Sequence, residues 1–164
     1  MKNKKSNQQI ESFSAVKWDA GNLILLDQRR LPNDVVYLRY DSIFDVAAAI
    51  KEMVVRGAPA IGITAAYAVV LAAISAYKDS PNSWRQNIEK GLQELAAARP
   101  TAVNLNWAIK KMRNEFHSID GDPQEILLKL AIKIHNDDIT ANHEMGRLGA
   151  ELINPNSEVI THCN

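Results

Sequence analysis

A chain of 164 residues, 46% apolar and 23% charged, is long enough to bury one hydrophobic core and has the balance of an ordinary globular domain. Nineteen basic side chains against nineteen acidic ones leave no formal net charge, which argues against a nucleic-acid or anionic-membrane surface, and no aromatic-basic interleaving suggests base stacking. One cysteine excludes an internal disulfide, and the basic opening Met1-Lys2-Asn3-Lys4-Lys5 lacks the apolar stretch of a secretory leader, so a cytoplasmic setting is expected.

Residues 1–13 read as a disordered basic tail. From residue 14 the pattern is that of a small antiparallel meander. Val16 and Trp18, then Leu23 to Leu26, then Val35 to Leu38 form apolar runs, separated by the turn formers Asp19-Ala20-Gly21-Asn22 and Pro32-Asn33-Asp34. Ser42 with Asp45 resembles a capping box, and Ile43, Val46, Ile50 and Val54 recur at helical spacing. Ala60 to Tyr77 then runs for 18 residues without a charge, about 27 Å as a helix. That approaches membrane-spanning length, but a segment rich in Ala, Gly, Ser and Thr with no tryptophan at its ends reads as a buried central helix.

A third helix is expected from Pro81 to Ala98, burying Trp84, Ile88, Leu92 and Leu95 and ending before Pro100. Thr101 caps a fourth, which carries Val103, Leu105, Ile109, Met112 and Phe116 inward. Asp122-Pro123-Gln124-Glu125 starts a last helix that reaches about Ile153. Beyond Pro155, Glu158 to His162 reads as a strand, and a strand after a long helix requires sheet neighbours. The expected fold class is therefore α+β. A β-meander and helical bundle over residues 14–154 is followed, over 155–164, by the first strand of a missing Rossmann-like α/β domain.

The segment Val55-Arg56-Gly57-Ala58-Pro59-Ala60-Ile61-Gly62 joins a cation to a flexible turn and a helix start. Unpaired N–H groups, a glycine that permits close approach and a guanidinium fork suit an anion such as phosphate. A simple junction between two helices with Arg56 solvated fits the same residues. Arg99-Pro100-Thr101-Ala102-Val103-Asn104-Leu105 repeats the arrangement, with a C-terminal arginine capping carbonyls as the alternative. Asn104 is placed to bond a sugar hydroxyl or its own backbone. Cys163, beside His162 at a strand end, is either a reactive thiol or a buried inert one. His135, Asp137, Asp138, His143 and Glu144 lack the spacing of a metal site and read as a solvated helix face, with Asp138 or Asn142 turned inward to a partner. No metal is expected, and with no phosphate loop or dinucleotide fingerprint no cofactor is either.

Four stretches, Leu25-Leu26-Asp27-Gln28-Arg29-Arg30-Leu31-Pro32, Met53 to Gly62, Arg99 to Leu105 and Thr161-His162-Cys163-Asn164, together resemble motifs of the 5-methylthioribose-1-phosphate isomerase family, in the same order. That family shares a superfamily with archaeal ribose-1,5-bisphosphate isomerases and the regulatory subunits of eukaryotic initiation factor 2B. Asn106, where a more apolar residue is expected, is a minor departure. The resemblance implies that Arg56, Gly57, Ala58 and Arg99 bind a small sugar phosphate and that Cys163 is catalytic. It implies conversion of an aldose 1-phosphate to a ketose 1-phosphate in methionine salvage, and a homodimer for the full-length protein. The family's aspartate proton donor, asparagine-lysine pair and glutamine belong to its C-terminal domain and have no counterpart in this chain, so little turnover is expected of the chain alone. Two other classes are a noncatalytic regulatory subunit of the initiation factor 2B type, sensing a sugar phosphate or nucleotide, and a purely helical interaction module without saturable ligand binding.

Overall fold

The structure, a computed structural model, describes residues 13–160 and His162. Of the expected basic tail only Phe13 falls within it. Three strands come first, β1 Val16–Asp19, β2 Asn22–Leu26 and β3 Tyr37–Tyr40, antiparallel in the order β1-β2-β3. Asp19 pairs with Asn22, and Ala20 and Gly21 between them take φ of 46° and 80°, the backbone of a type I′ hairpin. β3 starts later than Val35, where it was expected. Leu26, the last residue of β2, pairs with Tyr37, so Val36 has no ladder partner and instead accepts one bond from the Asp27 N–H at 2.8 Å.

The helices are α1 Ile43–Lys51, α2 Ala58–Asp79, α3 Trp84–Asn87, α4 Glu89–Ala97, α5 Val103–Asn114 and α6 Gln124–Ala150, with a 3₁₀ turn at Phe116–Ser118 between the last two. Ser42 Oγ accepts from the Phe44 N–H at 3.2 Å, capping α1 as its sequence suggests. Val54 lies beyond the end of this helix. Met53 turns to φ 61°, the Val54 N–H donates to the Ala49 carbonyl at 2.9 Å and the Met53 N–H to that of Ile50 at 3.2 Å. This is a Schellman closure built on a methionine instead of a glycine, and it turns Val54 and Val55 into the core.

The single helix expected over Pro81 to Ala98 is two. Residues 81–83 form turns, and α3 and α4 meet at Ile88, which keeps helical dihedrals and donates to the Trp84 carbonyl at 3.0 Å. The four side chains expected to be buried are buried. α5 is preceded by Ala102, not capped by Thr101, and among the described residues no side-chain oxygen is seen to cap its first N–H groups. Val103 is 78% exposed because the inward stripe is Leu105, Ala108, Ile109 and Met112, and a residue two positions before Leu105 lies about 200° around the helix from it. Asp122 Oδ1 accepts from the Gln124 N–H at 2.9 Å, starting α6 where its sequence indicates.

α2 is the centre of the fold. Its residues from Ile61 to Ala73 are all buried, and α1, α3, α4, α5, α6, β1 and β2 pack around it. By length and hydropathy it matches a membrane-crossing helix, yet most of that apolar window is covered by protein. The expected strand at Glu158 to His162 is not formed. A strand exists only through ladder partners, no described strand offers one, and Val159 and Ile160 stand exposed. What is described is α+β, without any of the expected second sheet.

Candidate functional site

Gly57 is the residue from which α2 departs, at φ 90° and ψ 133°, with Ala58 and Pro59 filling the first helical turn. The Ile61 N–H bonds the Gly57 carbonyl at 3.0 Å, and among the described residues the helix start has no side-chain cap and no acid in its first turn. The positive end of a 22-residue helix therefore opens beside the exposed Arg56.

The loop after β2 braces this turn from behind. The Gln28 N–H donates to the Val54 carbonyl at 2.9 Å and Gln28 Nε2 to the Arg56 carbonyl at 3.4 Å. Asp27 is buried and accepts from the Arg29 N–H, Nε and Nη2 at 3.2, 2.8 and 2.8 Å, while Arg29 Nη1 reaches Glu52 at the end of α1 at 3.2 Å. The hydrogen-bonded Arg29 guanidinium holds the Asp27 carboxyl below the usual carboxylate range, against the opposing effect of burial. Motif Leu25 to Pro32 thus serves as a mount for the Arg56 turn. The sequence alone did not reveal this role, and its only signal was the Asp-x-Arg spacing inside a turn.

Arg99 is half-buried in the turn between α4 and α5, where its carbonyl accepts from the Ala102 N–H at 2.9 Å. α5 resembles α2 in having neither a side-chain cap nor an acid in its first turn. Gly62 brings the two helices together. A Cβ at that position would stand 3.2 Å from both Cβ and the carbonyl oxygen of Asn104, so the fifth residue of α2 touches the second residue of α5. Two uncapped helix starts, each led by an arginine-bearing turn, therefore lie side by side. Cys163 lies outside the described residues, and its neighbour His162 is exposed.

From these helix starts a groove of about 360 Å³ runs inward, between Pro59 and Ile63 of α2, Val103, Asn104, Trp107 and Lys111 of α5, and Ile134, Asp137 and Asp138 of α6. Beside it, sharing Pro59, Ile63 and Asp138, lies a second hollow of about 500 Å³ that includes Gly57, His135 and His143. His135 does not belong to a solvated face as expected. It is half-buried, its Nδ1 lies 3.3 Å from the Tyr67 hydroxyl, and Tyr67 stacks on Trp18 with ring centroids 5.3 Å apart. Burial pushes the Tyr67 hydroxyl up to about 12 and the His135 imidazole down, the latter opposed by Asp138. The other acids of this stretch are engaged locally: Asp137 pairs with Lys133 at 2.6 Å, Glu144 with Arg147 at 2.8 Å, and Asp138 accepts from Asn142. Among the described residues no three of His, Asp or Glu are gathered as metal ligands.

Residues 54–164 match the Initiation factor 2 subunit family. Methylthioribose-1-phosphate isomerases of Methylococcus capsulatus and Alkalilimnicola ehrlichii are each 50% identical, over 155 and 154 residues and 94% of this chain. The 5-methylthioribose 1-phosphate isomerase of Pyrococcus horikoshii superposes with a TM-score of 0.81 at 33% identity, covering 87% of this chain and 41% of its own. Subunit delta of the translation initiation factor eIF-2B from A. fulgidus does so with the same score and identity, covering 88% and 43%. The chain spans 44% of the length of the two curated isomerases. The match begins at Val54, two residues before the arginine that opens the candidate site, and takes in both helix starts; the chain belongs to the initiation factor 2 subunit family.

Proposed function

We propose that this chain supplies one wall of the sugar-phosphate pocket of a cytoplasmic aldose–ketose isomerase that converts 5-methylthioribose 1-phosphate to 5-methylthioribulose 1-phosphate in methionine salvage. The observation that carries the proposal is the pair of adjacent helix starts, with no side-chain cap and no acid in either first turn among the described residues, each preceded by an arginine. A phosphate dianion there accepts from backbone N–H groups of Ala58 and its neighbours, and Arg56 and Arg99 supply forked donors for its remaining oxygens. Gly57 keeps the approach open, since nothing occupies the space where a side chain would stand. The relatives' names give the substrate class.

The chemistry needs two proton movements. An anomeric phosphate locks the pentose ring, so opening requires a proton delivered to the ring oxygen, and the aldose-to-ketose step moves hydrogen from C2 to C1. Cys163 is the residue of this chain proposed to take part, with an acid–base partner from the part of the relatives' length that this chain does not span. The full-length protein is proposed to be a homodimer. The rival reading, a noncatalytic sensor of a phosphorylated ligand, is favoured by the equal structural likeness to an eIF-2B subunit.

Calorimetry with 5-methylthioribose 1-phosphate and a turnover assay separate these readings. The proposal expects saturable binding by the chain, with turnover in a protein of the relatives' full length that is lost in Cys163→Ala. Binding without turnover at full length would establish the sensor instead. No saturable binding would leave a helical interaction module.

A further inference from the structure

The loop after β2 grips the connection between α1 and α2 at every second residue. Arg29 Nη1 reaches the Glu52 carboxylate at 3.2 Å, the Gln28 N–H donates to the Val54 carbonyl at 2.9 Å, and Gln28 Nε2 donates to the Arg56 carbonyl at 3.4 Å. Gln28 is itself held between two anchored neighbours. Asp27 is buried and its N–H donates to the Val36 carbonyl at 2.8 Å, while Arg29 Nε and Nη2 donate to the two Asp27 carboxylate oxygens at 2.8 Å each.

The bond to Arg56 acts on a peptide unit. A trans peptide is planar, and its C=O and N–H point in opposite directions. The Arg56 carbonyl shares its plane with the Gly57 N–H, so drawing that oxygen toward Gln28 turns the Gly57 N–H to the face away from the loop. At this helix start each such donor counts. Of the four positions whose N–H groups a helix start leaves open, here 57 to 60, Pro59 supplies none, so Gly57 is one of three donors, with Ala58 and Ala60. Glycine permits either orientation of the plane, and the Gln28 amide selects one of them.

Resting on the function proposed above, we infer that Gln28 is a positioning residue of the phosphate site, whose side-chain amide orients the Arg56–Gly57 peptide so that the Gly57 N–H joins those of Ala58 and Ala60 on the anion. It acts through the backbone. Binding energy is not spent on turning the peptide when the ligand arrives, because the turn is already set.

The test is Gln28→Met, which keeps the length of the side chain and the backbone bond to Val54 and removes the donor. The 164-residue chain and the variant are titrated with 5-methylthioribose 1-phosphate, by calorimetry and by amide nuclear magnetic resonance. In the unaltered chain the Gly57, Ala58 and Ala60 amide resonances are all expected to move on saturation. In Gln28→Met the affinity is expected to fall about three- to tenfold, the worth of one neutral hydrogen bond. The Gly57 response at saturation is expected to shrink while those of Ala58 and Ala60 persist and the melting curve stays in place. Gln28→Leu, equally without a donor, carries the same comparison should the methionine variant not fold. Unchanged affinity, or a Gly57 response as large as in the unaltered chain, overturns the assignment while the phosphate site stands. A loss shared equally by all three amides, with a lowered melting curve, also overturns it, since Gln28 would then support the loop as a whole. Absence of saturable binding by the unaltered chain overturns the proposed function and this role with it.

Discussion

Gly57 is required by backbone conformation and not by crowding: its φ of 90° is costly for an L side chain, yet a Cβ there would meet nothing within 4 Å. Gly57→Ala is therefore expected to lower stability by about 1–3 kcal/mol through strain alone, read as a reduced urea midpoint. An unchanged midpoint would mean that the turn relaxes to ordinary backbone. Arg56→Ala, by contrast, leaves that backbone intact and removes a charge-assisted fork. It is expected to weaken 5-methylthioribose 1-phosphate binding roughly ten- to hundredfold in calorimetry, with little change in the melting curve. Asp27 acts behind both. Its carboxyl is depressed in the folded chain, so the stability it contributes is complete above its unfolded value of 3.8 and is lost as pH falls through the lower folded value. Arg29 is 41% exposed and water screens the pair, so the contribution is small. Urea midpoints taken between about pH 5 and pH 2 should fall for the unaltered chain and fall less steeply for Asp27→Asn; identical slopes would remove Asp27 from the account.

Two glycines inside helices set element positions, and the direction of their substitution follows from competing magnitudes. Alanine in place of a helical glycine gains about 0.5–1 kcal/mol of intrinsic preference. At Gly62 the new Cβ presses on the Asn104 backbone at 3.2 Å, and at Gly91 on the branched Cγ2 of the buried Ile43 at 2.8 Å, so overpacking of about 1–3 kcal/mol prevails at both. Thermal melts should show both variants destabilised. Only Gly62→Ala should also weaken sugar-phosphate binding, because only it separates the starts of α2 and α5; equal binding by the two variants would sever the link between helix spacing and the site. The sequence made much of this scale legible. Period-two runs marked the sheet, period-3.6 runs marked the helices, and Pro59 and Pro123 marked two helix starts. The Schellman turn at Met53 escaped notice because it lacks the glycine that usually signals it, and the exposure of Val103 because one apolar residue at a helix start does not define a face. The arginine turns could be read as anion sites, but their adjacency rests on a glycine in α2 meeting an asparagine 42 positions later, a contact no local pattern encodes. The groove has the same origin, being built from three helices, and so do the contact of half-buried His135 with Tyr67 and the Gln28 brace.

At the scale of the whole molecule α6 is divided. Leu127, Ala131 and Ile134 are buried against the core, whereas residues 139–148 are all exposed. The outer half is held by its own backbone bonds and by surface pairs such as Arg147 with Glu144 and Glu151, which water screens. A helical stretch of that length without packing is marginal. Amide hydrogen exchange should therefore show protection near the global value around Leu127 to Ile134 and a steep fall beyond Ile139, as expected where few apolar contacts oppose local opening. The same stretch presents Ile139, Met145 and Leu148, with Leu152 just beyond, to solvent. Isolated apolar side chains need no explanation, but a row along one helix end is surface that burial would stabilise by about 25 cal/mol per Å² covered. In a protein of the relatives' full length, more than twice that of this chain, protection of residues 139–150 is expected to rise above its value here, while that of residues 127–134 changes little. Equal exchange of residues 139–150 in the two proteins would mean that this half of α6 remains a free arm and that the added length packs elsewhere.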